Sequence, residues 1–171
     1  MIREHTHIGL CIAMHNSISM QRLETACLRI NSGDYRSALQ ELLWCFDCGC
    51  DVDPHFAAVR LSFVLGYIES LFPHLPQALD ELHKRWSATQ KDVAGEWNDS
   101  NVRSKLCKMQ DFVALSKSCS LQSDAIMFLM AFDENTIRLQ LPRKQMVREI
   151  IARQVVSLRG ESTSDGAGGT S

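Results

Sequence analysis

Cys45, Cys48, Cys50 and His55 form the densest cluster of chemistry-bearing side chains in the sequence, within Trp44-Cys45-Phe46-Asp47-Cys48-Gly49-Cys50 and the link that follows. Thiolate sulfur and imidazole nitrogen are the ligands of a tetrahedral zinc site, and a closed site needs four of them. The set reaches four only if His55 joins, because Cys107 and Cys119 are isolated and no second CxxC or HxxC pair occurs. A zinc-binding protein built on these four residues is therefore one reading of function. The plainer alternative makes Cys45 a core residue and leaves Cys48 and Cys50 at a helix end. His5 and His7, with Cys11 and His15, offer a second and looser set on an N-terminal arm, where surface histidines are usually solvated.

The string Trp44-Cys45-Phe46-Asp47-Cys48 also matches the W-C-x-x-C of dithiol oxidoreductases. A redox CxxC opens a helix after a strand, where the helix N-terminus stabilises thiolate. Here it falls in the last turns of an expected helix, where the dipole disfavours thiolate, and no strand precedes it. Other catalytic signatures are missing from the sequence: no glycine-rich phosphate loop, no G-x-S-x-G elbow and no H-E-x-x-H. Neighbouring acids such as Asp80-Glu81 and Asp133-Glu134 point to different sides of a helix and do not converge. The expectation is a non-enzyme with no catalytic residues and no cofactor.

The C-terminal region carries Arg138, Arg143, Lys144, Arg148, Arg153 and Arg159 against one acid, Glu149. Arg143, Arg148 and Arg153 advance about 140° per step on a helix and fan out instead of forming a stripe. Aromatic residues for base stacking are missing between them, so nucleic acid is not expected as a partner. An acidic protein would satisfy these charges.

These residues have to be positioned by helices, because no segment alternates apolar and polar residues for long enough to build a sheet. The spacing predicts a first helix from near Ser19, with Met20, Leu23, Cys27 and Ile30 on one face. Its partner runs from Asp34 to about Cys48, with Gly49 as the stop. Asp53-Pro54 starts a third helix over 54–72, apolar on most sides and so expected to be central and buried. Its main stripe is Phe56, Val59, Phe63 and Tyr67. Pro76 opens a fourth, with Leu75, Leu79, Leu82 and Trp86 in phase. The polar stretch 90–101 reads as a loop or frayed end. A fifth helix turns Val102, Leu106, Met109 and Val113 inward. A sixth carries Leu121, Ala125, Phe128, Leu129 and Phe132, and a seventh begins at Pro142.

The fold class expected is all-α, six to seven helices in stacked antiparallel hairpins, as a right-handed array or a compact bundle. Residues 1–17 form an N-terminal segment of coil or docked chain, 18–159 the helical domain, and 160–171 a small-residue polar tail too poor in apolar surface to order itself. With 171 residues, 45% hydrophobic and 22% charged, the chain is an ordinary globular domain. Its net charge of −2 sets up no field that would steer it to nucleic acid or an anionic membrane. The longest apolar stretch, Ile8–Met14, falls short of the ~20 residues of a spanning helix and makes a poor signal peptide. Seven cysteines, several in phase with apolar faces, suit a reducing compartment, so a cytoplasmic protein without membrane association is expected.

Ser32-Gly33-Asp34-Tyr35-Arg36-Ser37-Ala38-Leu39, running on to Leu42, Cys45 and Phe46, resembles the turn and second helix of a tetratricopeptide repeat (TPR). Ala26 fits the small position of the first helix, Gly33-Asp34-Tyr35 the turn, and Ala38, Leu42 and Cys45 the second helix. Arg29 stands where the family has an aromatic, and the repeat-ending proline is displaced to Pro54. The resemblance covers about residues 19–50. Leu43-Trp44-Cys45-Phe46, Val59-Arg60-Leu61-Ser62-Phe63 and Pro76-Gln77-Ala78-Leu79 look like uncharacterised bacterial TPR-like proteins. Membership would imply a scaffold or adaptor that recognises another protein or peptide and performs no chemistry. The contacts expected on that basis are Arg22 and Arg29 as carboxylate clamps, with Tyr35, Trp44 and Arg60 in a groove framed by the first four helices. Trp97, in the polar 90–101 stretch, is an anchor candidate if exposed. Three hairpins leave apolar end faces, which pairing of two chains as a homodimer would bury.

Overall fold

The computed structural model describes residues 17–132 and 137–161. The histidine-bearing arm of the N-terminal segment and the tail beyond Glu161 lie outside the described residues. Seven helices make up the described chain: α1 (Ile18–Asn31), α2 (Tyr35–Val52), α3 (54–70), α4 (Gln77–Ala94), α5 (Val102–Ser118), α6 (Gln122–Met130) and α7 (Leu141–Glu161). The protein is all-α. Among the described residues the one extended pairing is β1 (Trp97–Asn98) beside β2 (Ile137–Arg138), parallel, with Trp97 opposite Ile137 and Asn98 opposite Arg138. Two residues a side is too short to show as alternation in the sequence. The chain divides into two compact units, Met1–Asp80 and Glu81–Ser171.

Local chemistry sets the boundaries in the first unit. Ser17 caps α1 by accepting from the Met20 amide at 3.2 Å. Gly33, at φ +80°, makes the left-handed turn that reverses the chain, and Asp34 caps α2 by accepting from the Ser37 amide at 3.3 Å. Hydrogen bonds from the Ser37 side chain and then from that amide hold the Asp34 carboxyl below its usual range. Asp53 caps the next element through the His55 amide, with Pro54 at the first position.

Gly49 is not the stop the sequence suggested. α2 runs on to Val52, and Gly49 lies buried inside it. A Cβ there would stand 2.7 Å from Phe56 Cδ1, so the missing side chain makes room for a fully buried ring. α3 is compound: a 3₁₀ turn Pro54–Phe56, an α turn Ala57–Val59, a π-helical stretch Arg60–Val64 and an α segment Leu65–Ser70. Ser62 Oγ donates to the Ala58 carbonyl at 2.7 Å, a back-bond that competes with the helical ladder where it widens. α3 is also not buried all round. Phe56, Val64, Leu65, Ile68 and Leu71 are buried, whereas Phe63 is 64% exposed. α1 and α3 both pack on α2, which covers one side of each.

In the second unit, α5, α6 and α7 pack together around Met109, Phe112, Val113, Ala125, Leu129, Val147, Val155 and Leu158. A run of ring contacts crosses this core: Trp86 on Phe112 at 5.6 Å, Phe112 on Phe128 at 5.1 Å, Phe128 on Phe132 at 6.2 Å, and Phe132 on Trp97 at 5.8 Å. The polar stretch 90–101 is mostly ordered structure, as α4 continues to Ala94 and β1 follows. α7 likewise runs through Gly160 to Glu161, into the span read as tail.

Candidate functional site

Most of the contacts expected from the sequence are drawn into the protein itself. Arg22 Nη1 pairs with Glu41 Oε2 at 2.8 Å, and Arg29 Nη2 lies 3.6 Å from the other oxygen of that carboxylate. Arg22 also lies over the Trp44 ring, 4.1 Å from its centroid. The structure thus brings Arg22, Arg29 and Trp44 together, but as a clamp on Glu41 of the neighbouring helix. Arg60 donates to the Phe46 carbonyl at 3.3 Å and packs over the Phe46 ring at 4.9 Å. Tyr35 stacks on His74 with centroids 4.4 Å apart. Trp97 is fully buried, and its indole N–H donates to the Val93 carbonyl at 2.8 Å. The anchor expected at Trp97 is therefore corrected: the polar residues around it surround a tryptophan that docks into the core.

The cysteine cluster does not assemble. Among the described residues, no three His, Cys, Asp or Glu side chains gather where a metal ion would bind. Cys45 and Cys48, three residues apart on one helix, share a face, whereas Cys50 lies about 140° round the axis from Cys45, so the three thiols do not converge. His55 is exposed beyond the helix end. Cys45 is fully buried and directs its Sγ to the Ser19 carbonyl at 3.6 Å. Burial, with the nearby Glu41 charge, pushes its thiol up to about 12, the opposite of what a nucleophile or metal ligand requires.

What the first unit does present is an apolar groove of about 590 Å³ between α1 and α3. Met20, Leu23, Cys27 and Leu28 form one wall, Val59, Phe63 and Tyr67 the other, and among the described residues lining it Glu24 is the one that carries a charge. Leu28 is 69% exposed, which with Phe63 leaves two large apolar side chains in solvent on facing walls. The Tyr67 phenol is held above its ordinary range, chiefly by its hydrogen bond with the Cys27 thiol, which joins one wall to the other.

Both stripes, Met20/Leu23/Cys27 and Val59/Phe63/Tyr67, are visible in the sequence, but the expectation of a third helix buried on most sides does not foresee that the two line an open groove. Leu28 was the available signal, an apolar residue off the stripe of an otherwise amphipathic helix. No protein-family model, curated protein or solved structure matches this chain. Among the described residues, no helix is long and apolar enough to cross a membrane.

Proposed function

We propose that the chain is a non-enzymatic, TPR-like helical scaffold that binds an amphipathic helix of a partner protein in the α1/α3 groove. The observation that carries this reading is the pair of exposed apolar walls at helical spacing, Leu28 facing Phe63 across the groove. α1 and α3 both pack on α2, and the resemblance would make them the first helices of successive hairpins. In a repeat array it is the first helices that line the ligand-binding concave side, so the groove lies where the resemblance would put a ligand. Met20 to Leu28 rises about 12 Å, two turns of helix, which suits recognition of anchors at i, i+3, i+4 and i+7. Glu24 on the wall selects a cation on the flank of the incoming helix. The free cysteines of the described residues favour a reducing compartment such as the cytoplasm.

A fluorescein-labelled helix of about five turns, with leucine on one face and lysine on its flanks, tests this by anisotropy. Saturable binding, weakened at least tenfold by Phe63→Asp with circular dichroism unchanged, is the expected result. Indifference of the peptide to Phe63→Asp and Leu28→Asp would remove the groove from consideration.

A further inference from the structure

The chain that leads into α1 carries an apolar stretch of its own. Ile8-Gly9-Leu10-Cys11-Ile12-Ala13-Met14 has no charged residue, and only His15 and Asn16 separate it from Ser17, where the described structure begins. Large and small side chains alternate along it, Ile8, Leu10, Ile12 and Met14 against Gly9, Cys11 and Ala13. On an extended chain the four large ones share a face, spaced about 7 Å apart. Ile8 to Met14 then spans about 20 Å, enough to run the length of the groove wall from Met20 to Leu28, about 12 Å along α1. The groove also starts where the segment ends. Ser17 accepts from the Met20 amide at 3.2 Å, and Met20 is the near end of that wall. Ser17 is itself extended, at φ −74° and ψ 144°, so the chain before it departs from the helix line.

We propose, on the reading of the α1/α3 groove as a docking site, that residues 8–14 of the same chain fold back into it and must be displaced before a partner helix docks there. Leu28 and Phe63, 69% and 64% exposed, supply the apolar surface that the large side chains of the segment cover, and both surfaces leave water together. Gly9, Cys11 and Ala13 face the open side, where water satisfies the segment's backbone. Arg3, with His5 and His7 when protonated, outweighs Glu4 ahead of the stretch and suits a wall whose charged lining residue is Glu24. The tether decides which copy supplies the segment. Two residues between stretch and cap give it an effective concentration of about millimolar at its own groove, far above what a second chain reaches in solution. A segment that binds weakly by itself therefore still fills its own groove most of the time, and it weakens a competing helix by the same factor.

The lysine-flanked fluorescein helix, titrated against the 171-residue chain and against Leu10→Ser with Ile12→Ser, measures the competition. The double variant removes two anchors and adds no charge, and it should bind the helix at least tenfold more tightly with circular dichroism unchanged. Phe63→Asp should abolish that difference. A labelled peptide of residues 1–16 tests the segment without the helix. It should bind the double variant saturably, bind the wild type far more weakly, and lose its binding with Phe63→Asp. Equal affinity of the helix for both chains, still lost with Phe63→Asp, would overturn the proposal and leave the groove as a docking site. Failure of the helix alone, with the 1–16 peptide bound through Phe63, would support the segment and remove the partner helix. No binding of the 1–16 peptide to the double variant at millimolar concentration would overturn the proposal whatever the helix does. A wild-type dimer that the double variant loses would assign the groove to the segment of a second copy and overturn it too.

Discussion

Ser19 Oγ donates to the Gly49 carbonyl at 2.9 Å across 30 residues of sequence, joining the start of α1 to the last turns of α2. Ser19 and Gly49 are both buried, and the bare Cα of Gly49 also admits the Phe56 ring. One short stretch of α2 thereby registers α1 on one side and the start of α3 on the other.

Gly49→Ala should destabilise the protein by about 1–2 kcal/mol. Replacing a helical glycine by alanine gains about 0.5–1 kcal/mol from backbone entropy. The new Cβ, 2.7 Å from Phe56 Cδ1 and 2.9 Å from Cε1, meets a fully buried ring with no room to swing, and overpacking costs about 1–3 kcal/mol. Urea denaturation measures the balance, and Phe56→Leu in the Gly49→Ala background should recover part of the loss. Ser19→Ala should cost about 1 kcal/mol, because the Gly49 carbonyl keeps the Asp53 amide at 2.9 Å as a second partner. A Gly49→Ala protein as stable as wild type would mean that the ring does not need the space.

Stability should fall with rising pH above about 9 through Cys45. Its thiol ionises near the ordinary 9.0 when unfolded and near 12 in the folded protein, where burial opposes the charge. Between those values the unfolded state has lost the proton that the native state keeps, so the stabilising contribution is complete below pH 9.0 and is lost on the way to 12. The slope is at most about 1.4 kcal/mol per pH unit. Urea midpoints at successive alkaline pH values should decline less steeply in Cys45→Ala than in wild type. Ellman's reagent at mildly alkaline pH should label exposed Cys107 and spare Cys45 until the chain unfolds. Equal alkaline slopes in both proteins would contradict the assignment.

Trp97→Ala should cost about 3–5 kcal/mol, the range for removing a large buried aromatic. Trp97→Phe should cost less, roughly 1–3 kcal/mol, from lost volume and from the Val93 carbonyl losing the indole N–H held at 2.8 Å. Thermal denaturation followed at far-ultraviolet wavelengths would show both shifts. A near-neutral Trp97→Ala would mean that the tryptophan does not anchor β1 in the core of the second unit.

The helices themselves were legible because capping and periodicity are local. The Gly33-Asp34 turn and Asp53-Pro54 state where α2 and α3 begin, through hydrogen bonds or dihedrals spanning a few residues, while the start read near Ser19 falls just inside α1, whose cap is Ser17. The apolar stripes of α1 and α3 were equally plain. Periodicity reports that a face is apolar, however, and not what covers it. That is why Val59, Phe63 and Tyr67 read as core and yet line a groove, and why the polar stretch around Trp97 leaves open in sequence whether the ring is exposed or docked, whereas in the structure it fills the core of its unit.

The sequence by itself determined the all-α class, the turn at Gly33 and the approximate limits of seven helices, since all of these rest on backbone preferences and nearest neighbours along the chain. Only the tertiary structure decided that Gly49 sits inside α2 against Phe56, that Arg22 and Arg29 close on Glu41, that the three thiols of α2 do not converge, and that an apolar cleft is left between α1 and α3. Those outcomes depend on which helix faces pack and how closely. Helix-to-helix distance is set by the summed volumes of side chains far apart in sequence, and no local pattern encodes that sum.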